Sequence, residues 1–457
     1  MSIPGLGLIP EKPATSASRT YTLEPRQEYR FSVSHGASVT VTLTRGTAER
    51  DGTELALNVP YTLSGVKSKL LSWHGANLSV EGITDHESVA GPDDAANTAH
   101  LNLHAFLQRS RETAARSGGG GGSRSAPYGP RVLVAGGTGC GRTSLVRTLA
   151  AWATRTGAQP MVVNADPGEG SLTLPGTLSA AVFGTVMDVT SEGGWGAAPS
   201  SGPSAVPVKL PLVFYYGRRR VEEDRDLYKG VVNSISSAVS ARAADDPAVR
   251  SAGMLIDAPP YVEGKGADLL IHLAEELNVN IIVTIDTPSL HTELTQRFSG
   301  VKNVLGEHVS VVALDKSSGV MERDEGFLQH MGEASIKEYF FGDAKITLSP
   351  FTQQVAFDEL AIYTSPEASD HSAEPGALQR ITQPLPEMAH WVLAMMDAGP
   401  NDPPHKIRYA PVSGFVYVAA VDKDRRRMKI LAPVSGRLGD KPLVWGKWPE
   451  PHINLLG

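Results

Sequence analysis

The chain has 457 residues, 41% apolar and 20% charged, which is the composition of a globular protein with two to four domains. Forty-two Lys and Arg against 49 Asp and Glu give a net charge of −7, which excludes a protein that works by coating nucleic acid, though not a local basic cleft. One cysteine, Cys140, rules out an intramolecular disulfide and fits a reducing compartment. No apolar run approaches the ~18 residues of a membrane helix, and no charged n-region with an apolar h-region opens the chain, so neither a membrane span nor a signal peptide is expected.

Residues 1–18 are rich in Pro, Gly, Ser and Ala and read as disordered. From Tyr21 the pattern turns to β. Val39-Thr-Val-Thr-Leu-Thr44 alternates strictly, placing Val39, Val41 and Leu43 on one face of a strand. Turn signals at Arg45-Gly46, Asp51-Gly52 and His74-Gly75 follow at short spacing, which predicts a small β-sandwich to about residue 90. A short helix over Ala99–Ala115 closes this N-terminal β-domain, assigned to 19–117.

Gly118-Gly-Gly-Gly-Gly122 predicts a flexible linker over 118–128. A P-loop kinase-like domain is then expected over 129–343. Strands are predicted at Arg131–Ala135, Met161–Ala165, Met254–Ile256 and Ile281–Ile285. Helices are predicted at Thr143–Arg155, with Leu145, Leu149 and Trp152 inward, and at Ala267–Leu277. Strand–helix alternation means a parallel sheet with helices on both faces. Stretches 191–207 and 365–378 read as low-complexity loops. The segment 344–457 returns to short strands, with Phe415–Val421 and Met428–Leu431 as a hairpin around Asp422–Arg427. The predicted class is α/β: a central P-loop NTPase domain with a parallel sheet, flanked by an N-terminal β-sandwich and a C-terminal mostly-β domain.

Gly136-Gly-Thr-Gly-Cys-Gly-Arg-Thr143 fits G-x-x-x-x-G-K-[ST] except that Arg142 replaces lysine. It follows a buried strand and opens an amphipathic helix. Glycines let the backbone wrap a phosphate, the loop N–H groups with the helix N-terminus form an anion cradle, and the Thr143 hydroxyl suits Mg2+. A ligand-free glycine turn is the alternative. Arginine keeps the charge of lysine but is planar and bulkier, so phosphate binding survives the exchange more readily than phosphoryl transfer does. Asp166 is a second candidate for the Mg2+ shell, with a turn aspartate in Asp166-Pro-Gly168 as the alternative; Asp257 and Asp286 give weaker versions of the same signal. Cys140 reads as loop filler. His100 and His104 lack a third metal ligand. Arg218–Arg220 and Arg425–Arg427 read as solvated loops, with an RNA or partner contact as the minor alternative.

From about Tyr21 to the C-terminus the chain resembles the polynucleotide 5′-hydroxyl-kinase-like subunit of the mRNA cleavage and polyadenylation factor. The resemblance is carried by Gly52-Thr-Glu54, Ser72-Trp-His-Gly75, the P-loop, Leu174-Pro-Gly176, Pro211-Leu-Val-Phe-Tyr-Tyr-Gly217, Lys316-Ser-Ser-Gly-Val-Met-Glu-Arg323 and Lys337-Glu-Tyr-Phe-Phe-Gly342. It implies the same β, α/β, β order and bound ATP with Mg2+. It implies that Gly139, Cys140, Gly141, Arg142, Thr143 and Ser144 contact the phosphates and that Glu28 and Lys67 hold the base side. It also implies residence in the nucleus, other 3′-end processing factors as partners, and a cleavage-factor subunit that contacts the RNA polymerase II tail.

Three departures weigh against catalysis. Arg142 replaces the P-loop lysine. Ala258-Pro-Pro-Tyr261 replaces a Thr-Cys-Gly-Trp stretch that clamps the RNA end. Of the lid arginines only Arg323 remains, followed by Phe327-Leu-Gln-His-Met331 and Gly332-Glu-Ala334. Losing one group that neutralises the transferring phosphoryl typically costs on the order of 10³–10⁵ in rate. The expectation is an ATP-binding structural subunit without phosphoryl transfer. The rival is an active RNA 5′-hydroxyl kinase using Arg142, Asp166 and Arg323.

Overall fold

The computed structural model describes residues 18–91, 95–118, 127–190, 195, 211–264, 266–343, 347–365, 377–433, 435–449 and 455. The expected disorder at 1–17, the pentaglycine beyond Gly118 and most of the loops at 191–207 and 365–378 lie outside these residues. Contacts divide the chain into two compact units, Met1–Asp93 and Asp94–Gly457.

The first unit is two antiparallel sheets. One runs Arg19–Leu23, Ala76–Gly82, Val39–Gly46, Pro60–Leu63; the other runs Thr53–Glu54, Glu49–Arg50, Val66–Ser72, Gln27–Val33, His86–Ala90. The alternation in Val39–Gly46 sets its register: Val39, Val41 and Leu43 are buried and Thr40 and Thr42 half-buried. Tyr29 and Phe31, stacked at 5.3 Å, fill the core with Leu70, Leu78 and Val80. Burying each such side chain contributes roughly 1.5–3 kcal/mol.

The second unit begins with helix Ala95–Gly118, longer than Ala99–Ala115, which packs on helix Pro247–Ala252 and on the P-loop helix Arg142–Arg155. Its central sheet runs Leu212–Tyr215, Thr177–Val182, Met161–Asn164, Met254–Asp257, Arg131–Gly136, Ile281–Ile285, Ser310–Leu314. The last five strands are mutually parallel, as expected, and four of them are fully buried, apolar runs. Thr177–Val182 extends the sheet antiparallel, and Leu212–Tyr215, antiparallel to it, returns to the direction of the other five. No helix intervenes between Asn164 and Thr177, so the chain folds back instead of crossing over.

A second seven-stranded sheet runs Phe351–Ala356, Arg427–Ala432, Val412–Asp422, Val392–Met396, Leu443–Trp445, Ile362–Thr364, Gln379–Arg380. The expected hairpin is present, with Arg426 at φ 49° in its turn. This sheet shares a core with the central domain: Val213, Tyr215, Ile336 and Phe340 pack with Val392, Phe415 and Tyr417. Helix Glu325–Phe341, which follows the Lys316–Arg323 loop, is thereby fixed to it, and the Tyr339 hydroxyl accepts the Phe415 N–H at 3.0 Å.

Candidate nucleotide-binding site

The P-loop lies between the central strand Arg131–Gly136 and its helix. Gly139 and Gly141 have φ of +64° and +97°, a left-handed backbone that side chains oppose. Gly136 is required for a different reason: a Cβ there would sit 2.6 Å from Cys140 Sγ and 2.9 Å from the Ile285 carbonyl. Cys140 thus packs under the loop, buried, with its thiol pushed up by burial; this is the filler role expected of it. A Cβ on Gly137 or Gly139 meets no atom within 4 Å, so open space adjoins the loop at both glycines. The helix starts with no side-chain cap, leaving its first N–H groups to serve an anion.

Three charged groups crowd under this loop. The Arg142 guanidinium is 6% exposed, donates Nη1 to the Ala258 carbonyl and lies 3.6 Å from Asp166 Oδ2. Burial disfavours its charge, but Asp166 and Asp257 outweigh that and hold it above its ordinary value. Asp166 Oδ1 accepts the Gly168 N–H at 2.9 Å, so the carboxylate serves its turn and faces the guanidinium at once. Burial pushes Asp166 up to about 7 despite Arg142, with Glu169 adding to the shift. Asp257 ends the neighbouring strand and accepts the Thr143 hydroxyl on Oδ2 at 2.6 Å. Its Oδ1 is buried without a hydrogen-bond partner, and burial pushes the carboxyl up to about 6 against Arg142 and the Thr143 bond.

The surrounding residues hold this cluster. Tyr228 donates to the Ala165 carbonyl at 2.9 Å, bracing the turn that carries Asp166. Tyr261 is tied by its N–H to the Gly136 carbonyl at 2.9 Å and packs against the core. The Lys316–Arg323 loop returns to the P-loop, with Val320 Cγ2 3.2 Å from the Cβ position of Gly141. Arg323 pairs with Glu169 Oε2 at 3.6 Å, 28% exposed. Ser144 is half-buried in the first helical turn, and its carbonyl accepts the Thr148 hydroxyl at 2.8 Å.

In the first unit, Glu28 and Lys67 lie on paired strands, where Glu28 faces Leu71 and Ser32 faces Lys67. The two-residue period puts both on one sheet face, with Arg30 and Lys69 between them, about 13 Å apart along the strands. Glu28 is fully buried and ion-paired with Arg30 at 2.9 Å and with Lys69.

Three family models match the chain in the order of its domains. An N-terminal β-sandwich domain of polyadenylation factor covers residues 22–114, the mRNA cleavage and polyadenylation factor CLP1 P-loop covers 136–342, and the pre-mRNA cleavage complex II protein Clp1 covers 348–450. The mRNA cleavage and polyadenylation factor CLP1 of Pyricularia oryzae is 95% identical, and that of Chaetomium globosum 48% identical, each aligned over the whole of both chains. The chain belongs to the Clp1 family of mRNA cleavage and polyadenylation factors. Its fold matches a solved wild-type Clp1p–Pcf11p complex with a TM-score of 0.84 at 26% identity, over 95% of this chain and 98% of that one. A second Clp1p structure with Pcf11p, which concerns ATP loss in a glycine-to-arginine point mutant, matches with a TM-score of 0.83 at 25% identity, over 95% and 99%.

Within this Clp1-family fold, the P-loop, Arg142 and Asp166 lie together. Thr143 bonds Asp257 rather than Asp166, which makes Asp257 the carboxylate at the P-loop hydroxyl. Asp286, at φ 46°, follows a strand on the other side of the P-loop strand, and its N–H donates to the Leu314 carbonyl at 3.0 Å. Arg147, buried one turn after Thr143 and close enough to lower the Asp257 pKa, was not singled out in the sequence. Of the basic loops, Arg218 pairs with Asp224 at 3.3 Å, Arg219 with Glu325 at 2.9 Å, and Arg426 with Asp358 at 2.6 Å, so they are engaged within the fold.

Proposed function

We propose that this chain is the nucleotide-holding structural subunit of the pre-mRNA 3′-end cleavage and polyadenylation machinery, working in the nucleus, and that it retains ATP with Mg2+ without transferring the γ-phosphate. Gly139, Cys140, Gly141 and Thr143 would cradle the phosphates through backbone N–H groups, with Ser144 completing the helix N-terminus, and Glu28 and Lys67 would hold the base side. Thr143 and Asp257, with Asp166 beyond Arg142, would order the Mg2+ shell. The unpartnered buried Oδ1 of Asp257 fits that task, because an oxygen so placed needs a cation or its waters. Mg2+ there supplies charge neutralisation of the phosphates.

The observation that carries the reading is the disposition of Arg142. Its guanidinium is turned under the loop onto the Ala258 carbonyl and Asp166. A P-loop lysine reaches instead toward the β- and γ-phosphates, and transfer depends almost wholly on such positioning. With the Trp-bearing clamp and all the lid arginines but Arg323 also replaced, nucleotide becomes a structural ligand. Its binding stabilises the assembled form by mass action. The partner is a Pcf11-type cleavage-factor subunit that reads the RNA polymerase II tail, consistent with the complexes of the related Clp1p.

One observation favours the rival reading, an active RNA 5′-hydroxyl kinase: Asp166 is pushed up to about 7, the range suited to a general base. Transfer of labelled γ-phosphate to a 5′-hydroxyl RNA oligonucleotide separates the two. The structural reading expects intact ATP released by heating the purified protein and transfer no greater than that of a Thr143→Ala, Asp166→Ala control. Transfer well above that control, with ADP carried instead of ATP, would establish the kinase.

A further inference from the structure

Helix Ala95–Gly118 carries a buried charge that the nucleotide site does not use. Arg111 is 3% exposed. Its Nε donates to the Ala252 carbonyl at 2.9 Å, at the end of helix Pro247–Ala252, while Nη1 and Nη2 are buried with no hydrogen-bond partner. Burial draws its pKa down to about 10, and no carboxylate among the described residues offsets the shift. Of the other buried guanidinium groups, Arg131 pairs with Glu307 and Arg142 with Asp166, whereas Arg408, also drawn down to about 10, keeps Nε and Nη1 without hydrogen-bond partners but has Asp224 acting on its charge.

Two turns earlier on the same helix face is His104. Its ring lies 5.3 Å from that of Trp152 on the P-loop helix, and its Nδ1 is also buried without a partner. Burial, with Arg111 and Arg155 nearby, lowers it to about 4, so the ring is neutral at neutral pH and donates from one nitrogen. Among the described residues the junction therefore presents several N–H donors and one buried full positive charge, with no carboxylate to offset it. Water could satisfy the hydrogen bonds but not the charge, and an uncompensated buried ion is costly. The carbonyl end of helix Pro247–Ala252 offsets at most about half a unit charge.

We infer that Arg111, with His104, forms a binding site for a small oxyanion of the phosphate or sulfate class at the junction of helix Ala95–Gly118, the P-loop helix and helix Pro247–Ala252. Arg111 is too deeply buried to meet a macromolecular surface, which leaves a free ion as the ligand. The site is separate from the nucleotide cradle: Trp152 lies nine residues along the P-loop helix from Thr143, about 14 Å.

The test uses the full chain with saturating ATP and Mg2+, so that added anion cannot report the P-loop, and replaces chloride by inorganic phosphate or sulfate at constant ionic strength. In the wild type the unfolding midpoint should rise and saturate. Arg111→Met should weaken that response at least tenfold and, without phosphate, unfold no earlier than the wild type, because it removes an unpaired buried charge. Chloride and phosphate acting alike on the wild type, or Arg111→Met responding as the wild type does, overturns the inference. If the variant does not fold, crystals of the wild type soaked in selenate decide it. An anomalous peak within hydrogen-bond reach of Arg111 Nη1 and Nη2 supports the site, and water alone there refutes it.

Discussion

Replacing Arg142 by Met tests whether its charge serves the two buried acids or the phosphate. The variant keeps most of the side-chain length but leaves Asp166 and Asp257 without the guanidinium that offsets their burial, and leaves the Ala258 carbonyl without its donor. Removing one partner of a buried pair costs about 3–5 kcal/mol when the other stays charged. The sign with pH follows from the shifts. Both carboxyls are raised from the usual carboxylate range, to about 7 and about 6. Their burial therefore costs nothing well below the ordinary value of 3.8, where folded and unfolded chains are both protonated; the cost grows as pH rises from there to the folded values and is fully present above them. At pH 8 both are ionised and need Arg142; at pH 5 both are mostly protonated in the folded chain. The difference in stability between wild type and variant, measured by denaturant unfolding without nucleotide, should approach the full ~3–5 kcal/mol at pH 8 and shrink to about 1 kcal/mol at pH 5. A loss of equal size at both pH values, or none at pH 8, would mean that the guanidinium does not neutralise these acids.

Other substitutions separate the roles within the cluster. Asp257→Asn should stabilise the nucleotide-free protein at pH 8 by roughly 1–3 kcal/mol, since it removes a buried charge, while weakening Mg2+-dependent retention of ATP; calorimetry with and without Mg2+ checks both signs, and a destabilised variant with unchanged retention contradicts the assignment. Thr143→Ala should likewise weaken retention only when Mg2+ is present, and equal weakening in EDTA would point to a packing effect instead. Emptying the site of nucleotide should lower affinity for the Pcf11-type partner by about 5–150-fold, the usual range of coupling between sites, and identical titration curves would leave the nucleotide as a folding aid. Arg142→Lys alone should not confer 5′-kinase activity, because residues that act together in catalysis do not restore it singly; transfer well above the Thr143→Ala, Asp166→Ala control in that variant would show that the clamp and lid losses are immaterial.

Much of the architecture was legible because it depends on local periodicity. The strict alternation of Val39–Leu43 fixes which face is buried whatever the strand pairs with. The apolar runs Arg131–Ala135 and Ile281–Ile285 read as buried parallel strands because neither face needs polar residues. The two antiparallel pairings that Thr177–Val182 makes, with Met161–Asn164 and with Leu212–Tyr215, were not legible as such. Nothing in Thr177–Val182 distinguishes an antiparallel neighbour of Met161–Asn164 from a parallel one, and its direction follows from a connection that lacks a helix. The P-loop was legible down to Cys140 as filler, since its spacing is itself the geometry.

The partner of Thr143 was a different matter. Sequence order favours Asp166, which comes first after the P-loop helix, but sheet order decides the contact. Met254–Asp257 lies between Met161–Asn164 and the P-loop strand, in register that sets Val134 opposite Asp257, so Asp257 rather than Asp166 is within reach of the hydroxyl. The same displacement gives Arg142 its place. With Asp257 engaged by Thr143 on one oxygen, Asp166 is the acid left to face the guanidinium, and two carboxylates raised by burial sit on either side of one cation. A lysine ammonium extended to a bound phosphate could not also hydrogen-bond the Ala258 carbonyl beneath the loop. The planar arginine does so because it folds back, and that geometry supports the proposed absence of phosphoryl transfer more directly than charge alone, which the exchange at position 142 preserves.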